Sequence, residues 1–210
     1  MVENKGKIGN SAERENVNNL ASSEGLTRFM RSFWAEAGRQ VGKNIVVDNF
    51  PLTAEEIKER AEGGQMAIFI PEGLTREDLG MMFPKMKSWA TQEGNSVVDE
   101  IDNSGWLWIE ASIDAPNRDT TKGQLEEKFR KEGKEGQSLR TYIVGGQINK
   151  LLTDHYFDEG PVWSRLPGSG FESGDLYASF NLGGGLHACS VWGSEHHTTY
   201  VGGRSEQVIL

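Results

Sequence analysis

The sequence has little cysteine and no long apolar run. Cys189 is the only cysteine among 210 residues, which excludes an intramolecular disulfide and a zinc site built from several cysteines. No apolar run is long enough to cross a bilayer, and the first residues, MVENKGKIGNSAEREN, lack the apolar stretch of a secretory signal. We therefore expect a cytoplasmic protein without membrane insertion, while display at a cell surface remains open.

Positive charge is also scarce. The formal net charge is −9 and the isoelectric point is about 5.0, whereas proteins that bind a phosphate backbone gain much of their affinity from Lys and Arg. We expect no nucleic-acid partner. Lysine is absent after Lys150, although it is scattered through the chain before that residue.

Apolar residues are frequent enough for a folded chain, at 36% with six Trp and nine Phe. Residues 1–23 are polar and predict a flexible tail, because they offer little surface to bury. We expect a single domain over residues 24–210. Its first part, residues 24–104, is predicted to be an elaboration of helices and a strand.

Helices and strands are indicated by spacing and by capping residues. A helical face, ended near Gly38, is predicted by Leu26, Phe29, Met30, Phe33 and Trp34. Short helices are predicted after Thr53, Thr75 and Thr121, because an acidic or amide residue follows each three positions later. The runs MAIFIP and GWLWIEA are typical of strands, and a further helix is indicated by Val144, Ile148, Leu151 and Leu152.

The C-terminal part alternates with the period of a strand. Leu176, Ala178 and Phe180 are predicted to point inward. A turn at 183–185, a strand over 186–192 and another near 200–208 would complete an antiparallel meander. We interpret Trp106 or Trp108, and Trp163, as structural.

Three stretches of this part resemble one protein family. TYIVGGQINKLLTDHYFDEGPVWSRLPGSG, LYASFNLGGGLHACSVW and YVGGRSEQV resemble the carboxy-terminal part of variable proteins of diversity-generating retroelements. In that family a helix leads into an aromatic-serine turn, here Trp163-Ser164, and then into paired strands and a glycine-arginine strand, here 202–204. The resemblance implies an α+β, C-type-lectin-like fold over residues 105–210, with helices packed on a small antiparallel sheet.

The resemblance also implies a function. Template adenines are copied with errors into the end of such genes, and the altered residues form an exposed surface that binds a ligand. Asparagine codons altered in this way can yield, among others, Tyr, Ser, Asn, Asp, Gly, His, Cys and Thr, but never a stop, Trp, Met, Lys, Glu or Gln. The candidate ligand-binding residues are Tyr177, Ser179, Asn181, His187, Cys189, Ser190, Trp192, Ser194, His196 and His197.

Trp192 and Glu195 fall outside the permitted set and are expected to be constant or to vary by another route. Tyr, Ser and Asn are typical of antibody-like binding surfaces, although an ordinary glycine-rich meander has the same composition. The ligand is expected to be a protein or a cell-surface component. No cofactor is implied, since the calcium-binding and sugar-binding motifs of C-type lectins are missing.

Other functions were weighed on the same residues. His187, Cys189, Glu195, His196 and His197 have metal-binding chemistry, but adjacent histidines on a strand point to opposite sides. Cys189 beside His187 suggests a thiol nucleophile, yet no orienting acid accompanies it. An enzyme of the formylglycine-generating type would need paired cysteines or copper. We expect no enzyme, and a constant interaction subunit remains the main alternative.

Overall fold

The computed structural model describes residues 18–99, 101–172, 174–190 and 192–210. Most of the predicted tail, residues 1–17, lies outside this range. Its predicted end at residue 23 is wrong, because Asn18–Ala21 forms a 3-10 helix and helix α1 spans Ser23–Val41. Ser22 caps α1 by accepting a hydrogen bond from the Gly25 amide at 3.1 Å.

Helix α1 follows the predicted apolar spacing but continues past Gly38. Its buried side includes Met30, Phe33 and Trp34, and the Trp34 indole donates to the carbonyl oxygen of Phe69 at 2.9 Å. The helix ends at Gly42, whose φ of 67° is left-handed. Gly38 therefore marks a close approach, since a Cβ there would lie 2.4 Å from the Lys43 oxygen.

Three shorter helices begin where threonine caps were predicted. Helix α2 spans Ala54–Glu62, α3 spans Arg76–Met82 and α4 spans Lys122–Lys131. Each has a complete capping box, in which the threonine hydroxyl and the side chain three residues later bond to each other's backbone amides. The three predictions are confirmed.

One sheet joins the N-terminal half to the end of the chain. Its strands are β1 (Gln65–Ile70), β3 (Gly105–Glu110), β4 (Glu135–Gly136) and β9 (Ser205–Val208). The spatial order is β1-β3-β9-β4, and all pairs are antiparallel. Trp106 and Trp108 on β3 are buried, as predicted.

The second sheet is built around β5. Its strands are β2 (Val97–Asp99), β5 (Trp163–Phe171), β6 (Gly174–Phe180), β7 (Leu186–Cys189) and β8 (Val201–Gly203). β5, β6 and β7 are antiparallel neighbours, and β2 is antiparallel to the end of β5. β8 lies parallel to the start of β5.

Two predictions for this region are wrong. The terminal strands do not form a simple meander, because the last predicted strand divides into β8 in one sheet and β9 in the other. Trp163-Ser164 is not a turn but the beginning of β5. Sequence reasoning missed β5 because Pro167 and its neighbouring glycines are typical of a loop. A register shift between Arg165 and Gly170 accommodates them within the sheet.

Helix α5 (Leu139–Thr153) is the most buried helix among the described residues, and it contacts both sheets through β1 and β5. Val144 and Ile148 are buried as predicted, whereas Leu152 is partly buried and Leu151 is half-exposed. The protein is thus a mixed α+β fold with antiparallel sheets. None of the described helices has the length and apolar content to cross a membrane.

Candidate functional site

The predicted ligand-binding residues lie on the β6–β7 hairpin and on the segment that follows it. We call the turn 181–185, strand β7, Ser190 and residues 192–200 the C-terminal surface. Five of the predicted residues are exposed there, namely Asn181, His187, Ser190, Ser194 and His197. Cys189, Trp192 and His196 are partly exposed.

Two predicted residues are not on this surface. Tyr177 has no exposed area and Ser179 is only 5% exposed, so their prediction as outward-facing residues is wrong. The alternation along β6 is correct for the inward residues Leu176, Ala178 and Phe180, which are buried. The opposite side of β6 is also covered, because the segment after β7 folds back over it.

Tyr177 anchors the segment that follows β7 to strand β6. Its hydroxyl accepts hydrogen bonds from Arg165 Nε at 3.0 Å and Nη2 at 2.6 Å. It donates to the carbonyl oxygen of Gly193 at 3.2 Å, and its ring meets the Trp192 ring edge-on with centroids 4.9 Å apart. Burial raises the pKa of the Tyr177 hydroxyl, so it remains a protonated donor at neutral pH.

Arg165 extends the same anchor. The side chain is fully buried and donates to the carbonyl oxygens of Thr120 at 2.8 Å and His196 at 2.7 Å. Its charge is balanced by Asp175, which lies 3.6 Å from Nε and also pairs with Lys122 at 3.2 Å. These buried contacts thus fix the backbone that carries the outer side chains.

Aromatic rings form the centre of the C-terminal surface. Trp163 lies edge-on to Trp192 at 5.6 Å and to His187 at 6.4 Å between ring centroids. The His196 ring stacks on Trp192 at 5.2 Å with an interplanar angle of 5°. We call Trp163, Trp192, His187 and His196 the aromatic group; Trp163, which the sequence suggested to be structural, is half-buried.

An open depression adjoins the aromatic group. It has a volume of about 470 Å³, and Leu182, 80% exposed, lies at its rim on the hairpin turn. The residues that line it are Glu159, Gly160, Trp163, Ser179, Phe180, Asn181, Leu182, Gly183 and His187. Asn181 Oδ1 accepts hydrogen bonds from the amides of Gly183 and Gly185 at 2.9 Å each, which fixes the turn.

The loop around residues 116–119 also contacts the C-terminal surface. Sequence reasoning did not predict this contact. The Asp119 amide donates to the carbonyl oxygens of Thr198 and Val201 at 3.2 Å each, and its carboxylate lies 2.9 Å from His197 Nδ1. Asn117 and Asp119 have left-handed φ angles of 54° and 58°, which asparagine and aspartate adopt more readily than most residues. The run PNRD is the signal that indicates this loop.

A buried polar network holds the end of the chain against α5. Asp158 accepts hydrogen bonds from Tyr142 Oη at 2.9 Å and Ser164 Oγ at 2.6 Å, and pairs with Arg204 at 3.2 Å. Asp158 and Arg204 have no exposed area. The Arg204 guanidinium also lies 4.1 Å from the centroid of the Phe157 ring. Arg204 follows β8 directly and thereby fixes the position of both terminal strands.

The structure also places the residues that the sequence suggested for metal binding and thiol chemistry. Within the described segments, no group of three or more His, Cys, Asp or Glu residues lies close enough to hold a metal ion. His187 and Cys189 lie two positions apart on β7 and pair with Ser179 and Tyr177 on β6. Comparisons of the chain with protein-family models, with curated proteins and with solved structures find no match.

Proposed function

We propose that this protein is a ligand-display protein, a variable protein of a diversity-generating retroelement with a C-type-lectin-like fold. The C-terminal surface binds the ligand, and the rest of the fold is a constant frame. The ligand is a protein or a cell-surface component. No catalytic step is part of the proposal.

The observation that carries the proposal is the separation of anchors from outer residues. The buried pair Arg165 and Tyr177 fixes the backbone of residues 193–196 through the carbonyl oxygens of Gly193 and His196. The exposed Ser190, Ser194 and His197 contribute none of these anchoring bonds. A frame of this kind tolerates substitution at outer positions such as Ser190 and Ser194, because surface changes away from specific contacts alter stability little. His197 and Asn181 also make local contacts, with Asp119 and with the amides of the hairpin turn.

The order of elements supports the proposed fold. Strand β3 is followed by helices α4 and α5 and then by the strands of the C-terminal part, with the short β4 between the helices. The last strand, β9, returns to pair with β3. This pairing brings together the two ends of residues 105–210, the region of the family resemblance.

The burial pattern also narrows the set of variable positions. We assign Tyr177 and Ser179 to the constant frame, since both are buried. Trp192 and Glu195 belong to the surface but cannot arise from altered asparagine codons. The proposed variable positions are Asn181, His187, Cys189, Ser190, Ser194, His196 and His197.

Sequencing the locus in related isolates tests the proposal. We expect to find a near-repeat of the 3′ end of this gene, located beside a reverse-transcriptase gene. The near-repeat should differ from the 3′ end of this gene only at adenines. Differences between isolates should fall on the seven proposed positions, with Tyr177 and Arg165 unchanged. Substitutions spread evenly through residues 1–100, or a locus without such a repeat, would overturn the proposal and favour a constant interaction subunit.

A further inference from the structure

We propose that the depression beside Trp163 accepts a long cationic side chain, an arginine or lysine of the partner protein. The inference rests on the proposed function for the view that the C-terminal surface binds a partner. It goes further by naming the chemistry that the partner must present. The charge around the surface, the shape of the depression and the constancy of its residues support it.

The C-terminal surface offers no free cation to an anionic ligand. After Lys150 the only Lys or Arg residues are Arg165 and Arg204, and both side chains are fully buried. The acidic residues of the same part include the exposed Glu172 and Glu195, and Glu195 lies within the C-terminal surface. With a formal net charge of −9, the protein attracts a positively charged partner by its overall field.

The cations that border this surface are already paired with carboxylates. Lys150 Nζ lies 3.0 Å from Asp154 Oδ1 and 5.3 Å from the centroid of the Tyr156 ring. Lys122 pairs with Asp175 at 3.2 Å, and the Arg118–Asp114 pair is 2.7 Å long. These lysines and this arginine therefore do not reverse the sign of the surface.

The lining of the depression matches an amphipathic side chain. Leu182, 80% exposed at the rim, provides apolar contact for the methylene stem of arginine or lysine. Trp163 provides a ring for the cationic head, because the electron-rich face of an indole attracts cations. Glu159 adds a carboxylate that is 10% exposed. Its Oε1 accepts a hydrogen bond from the Tyr156 amide at 2.7 Å, and its Oε2 lies 3.0 Å from Nδ1 of the half-exposed His155.

Two of the lining residues lie outside the set that the proposed mechanism produces. Glu and Trp cannot arise from altered asparagine codons, so we assign Glu159 and Trp163 to the constant frame. Asn181 and His187, which also line the depression, are proposed variable positions. The constant residues would thus set the class of ligand, while the variable residues select among its members.

Peptide titration monitored by heteronuclear NMR tests the inference on the full-length protein. The probe is the acetylated, amidated tripeptide Gly-Arg-Gly, and its control is the same peptide with neutral citrulline in place of arginine. We expect the arginine peptide to shift the Trp163 indole and Gly183 amide signals with saturation in the millimolar range. The citrulline peptide should bind at least about tenfold more weakly, since the head loses its charge.

Matched variants locate the binding. Glu159→Gln should weaken binding of the arginine peptide about three- to tenfold, whereas Glu62→Gln on α2 removes the same charge elsewhere and should leave it unchanged. Leu182→Ser should weaken binding severalfold, whereas Val46→Ser, also at an exposed apolar residue, should not. Glu159→Gln keeps an acceptor for the Tyr156 amide, and a thermal melt of each variant verifies its fold.

Several outcomes would overturn the inference. They are equal binding of the citrulline peptide, no shift at Trp163 or Gly183, or an unchanged affinity in Glu159→Gln. Tighter binding of spermidine than of the arginine peptide would instead assign the depression to a free polyamine. A locus that lacks the variable repeat while the arginine peptide still binds would refute the proposed function alone. Variation at the proposed positions without peptide binding would refute only this inference.

Discussion

Arg165 and Arg204 are fully buried, and each ties a different part of the C-terminal half to the core. Arg204 joins the network of Asp158, Ser164 and Tyr142. Burial raises the pKa of the Tyr142 hydroxyl well above its ordinary value, so this group stays a donor to the Asp158 carboxylate. Arg165 lies beneath the C-terminal surface. It fixes the backbone of the segment after β7, which carries several of the proposed variable residues.

Asp158→Asn should destabilise the protein strongly. The substitution leaves the Arg204 charge buried without its carboxylate, and breaking a buried pair in this way costs about 3–5 kcal/mol. Asparagine tolerates the left-handed φ of 52° at this position, so the loss reports the charge rather than the backbone. Chemical denaturation measures the free energy of unfolding.

Asp154→Asn is the matched control for that variant. Asp154 also has a left-handed φ, of 65°, and its carboxylate is ionically paired, but its side chain is 94% exposed. We expect its free energy of unfolding to stay close to that of the unmodified protein. Equal losses in the two variants would show that the buried pair has no special role.

Glu206 should make stability depend on pH. Burial raises the pKa of its carboxyl above the ordinary value of 4.5, although the Ser138 amide and the Asn103 side chain both donate to it. The folded state therefore binds the proton more tightly than the unfolded state does. The stabilisation that results is fully present below pH 4.5 and is lost as the pH rises through the folded-state pKa.

Glu206→Gln removes this contribution. Whatever the cost of the substitution itself, the free energy of unfolding of the unmodified protein relative to the variant should decrease as the pH rises above 4.5. Urea unfolding of both proteins over a pH series measures the difference. A difference that stays constant, or that grows with pH, would contradict the role assigned to Glu206.

At the scale of elements, α5 is the central packing unit of the described chain. Its glycines allow close approach, because a Cβ on Gly145 would lie 2.6 Å from Ile109 Cδ1 and one on Gly146 would lie 2.5 Å from Phe180 Cε2. The helix thus lies directly against residues of both sheets. Side chains on its buried side should matter far more than those on its outer side.

Ile148→Ala should cost about 2–5 kcal/mol of unfolding free energy, because Ile148 is 1% exposed and its truncation leaves a cavity. Leu151→Ala removes a similar side chain from the same helix at a position that is 51% exposed. We expect it to change stability by a few tenths of a kcal/mol. Thermal or urea unfolding compares the two, and similar losses would contradict the orientation of α5.

At the scale of the molecule, the two sheets are joined by the last residues of the chain. β8 pairs with β5 in one sheet, and two residues later β9 lies between β3 and β4 in the other. Gly203 allows the crossing, since a Cβ there would lie 2.4 Å from Leu125 Cδ1. Residues 24–104 and 105–210 therefore share one fold, and the buried core extends from Leu26 to Val201.

Truncation at the N-terminus should distinguish the tail from the start of this fold. Deleting residues 1–17 should leave the thermal midpoint nearly unchanged, because their sequence has few apolar residues. Deleting residues 1–23 removes the Ser22 cap of α1 and Leu20, which packs against the core. The cap alone is worth about 1 kcal/mol, or about 2–4 °C at this size. Equal midpoints for the two deletions would contradict this boundary.

Much of the α+β fold could be predicted because its signals are local. The capping threonines Thr53, Thr75 and Thr121 placed three helices, since a cap depends only on residues within one turn. The outer candidates Asn181, His187, Ser190, Ser194 and His197 were also placed correctly as exposed residues. The Gly183–Gly185 turn followed from residues that favour tight turns.

The remaining features depend on segments far apart in the chain. The alternation of apolar and polar residues along β6 separates the two sides of this strand. Whether the second side is covered depends on the segment with Gly193 and His196, which folds back over Tyr177 and Arg165. β5 contains Pro167, and only its register shift with β6 keeps it in a sheet. Sequence by itself determined the helices, the inward side of β6 and the acidic character of the chain. Tertiary structure decided which polar residues are buried, because burial depends on distant contacts that local periodicity does not encode.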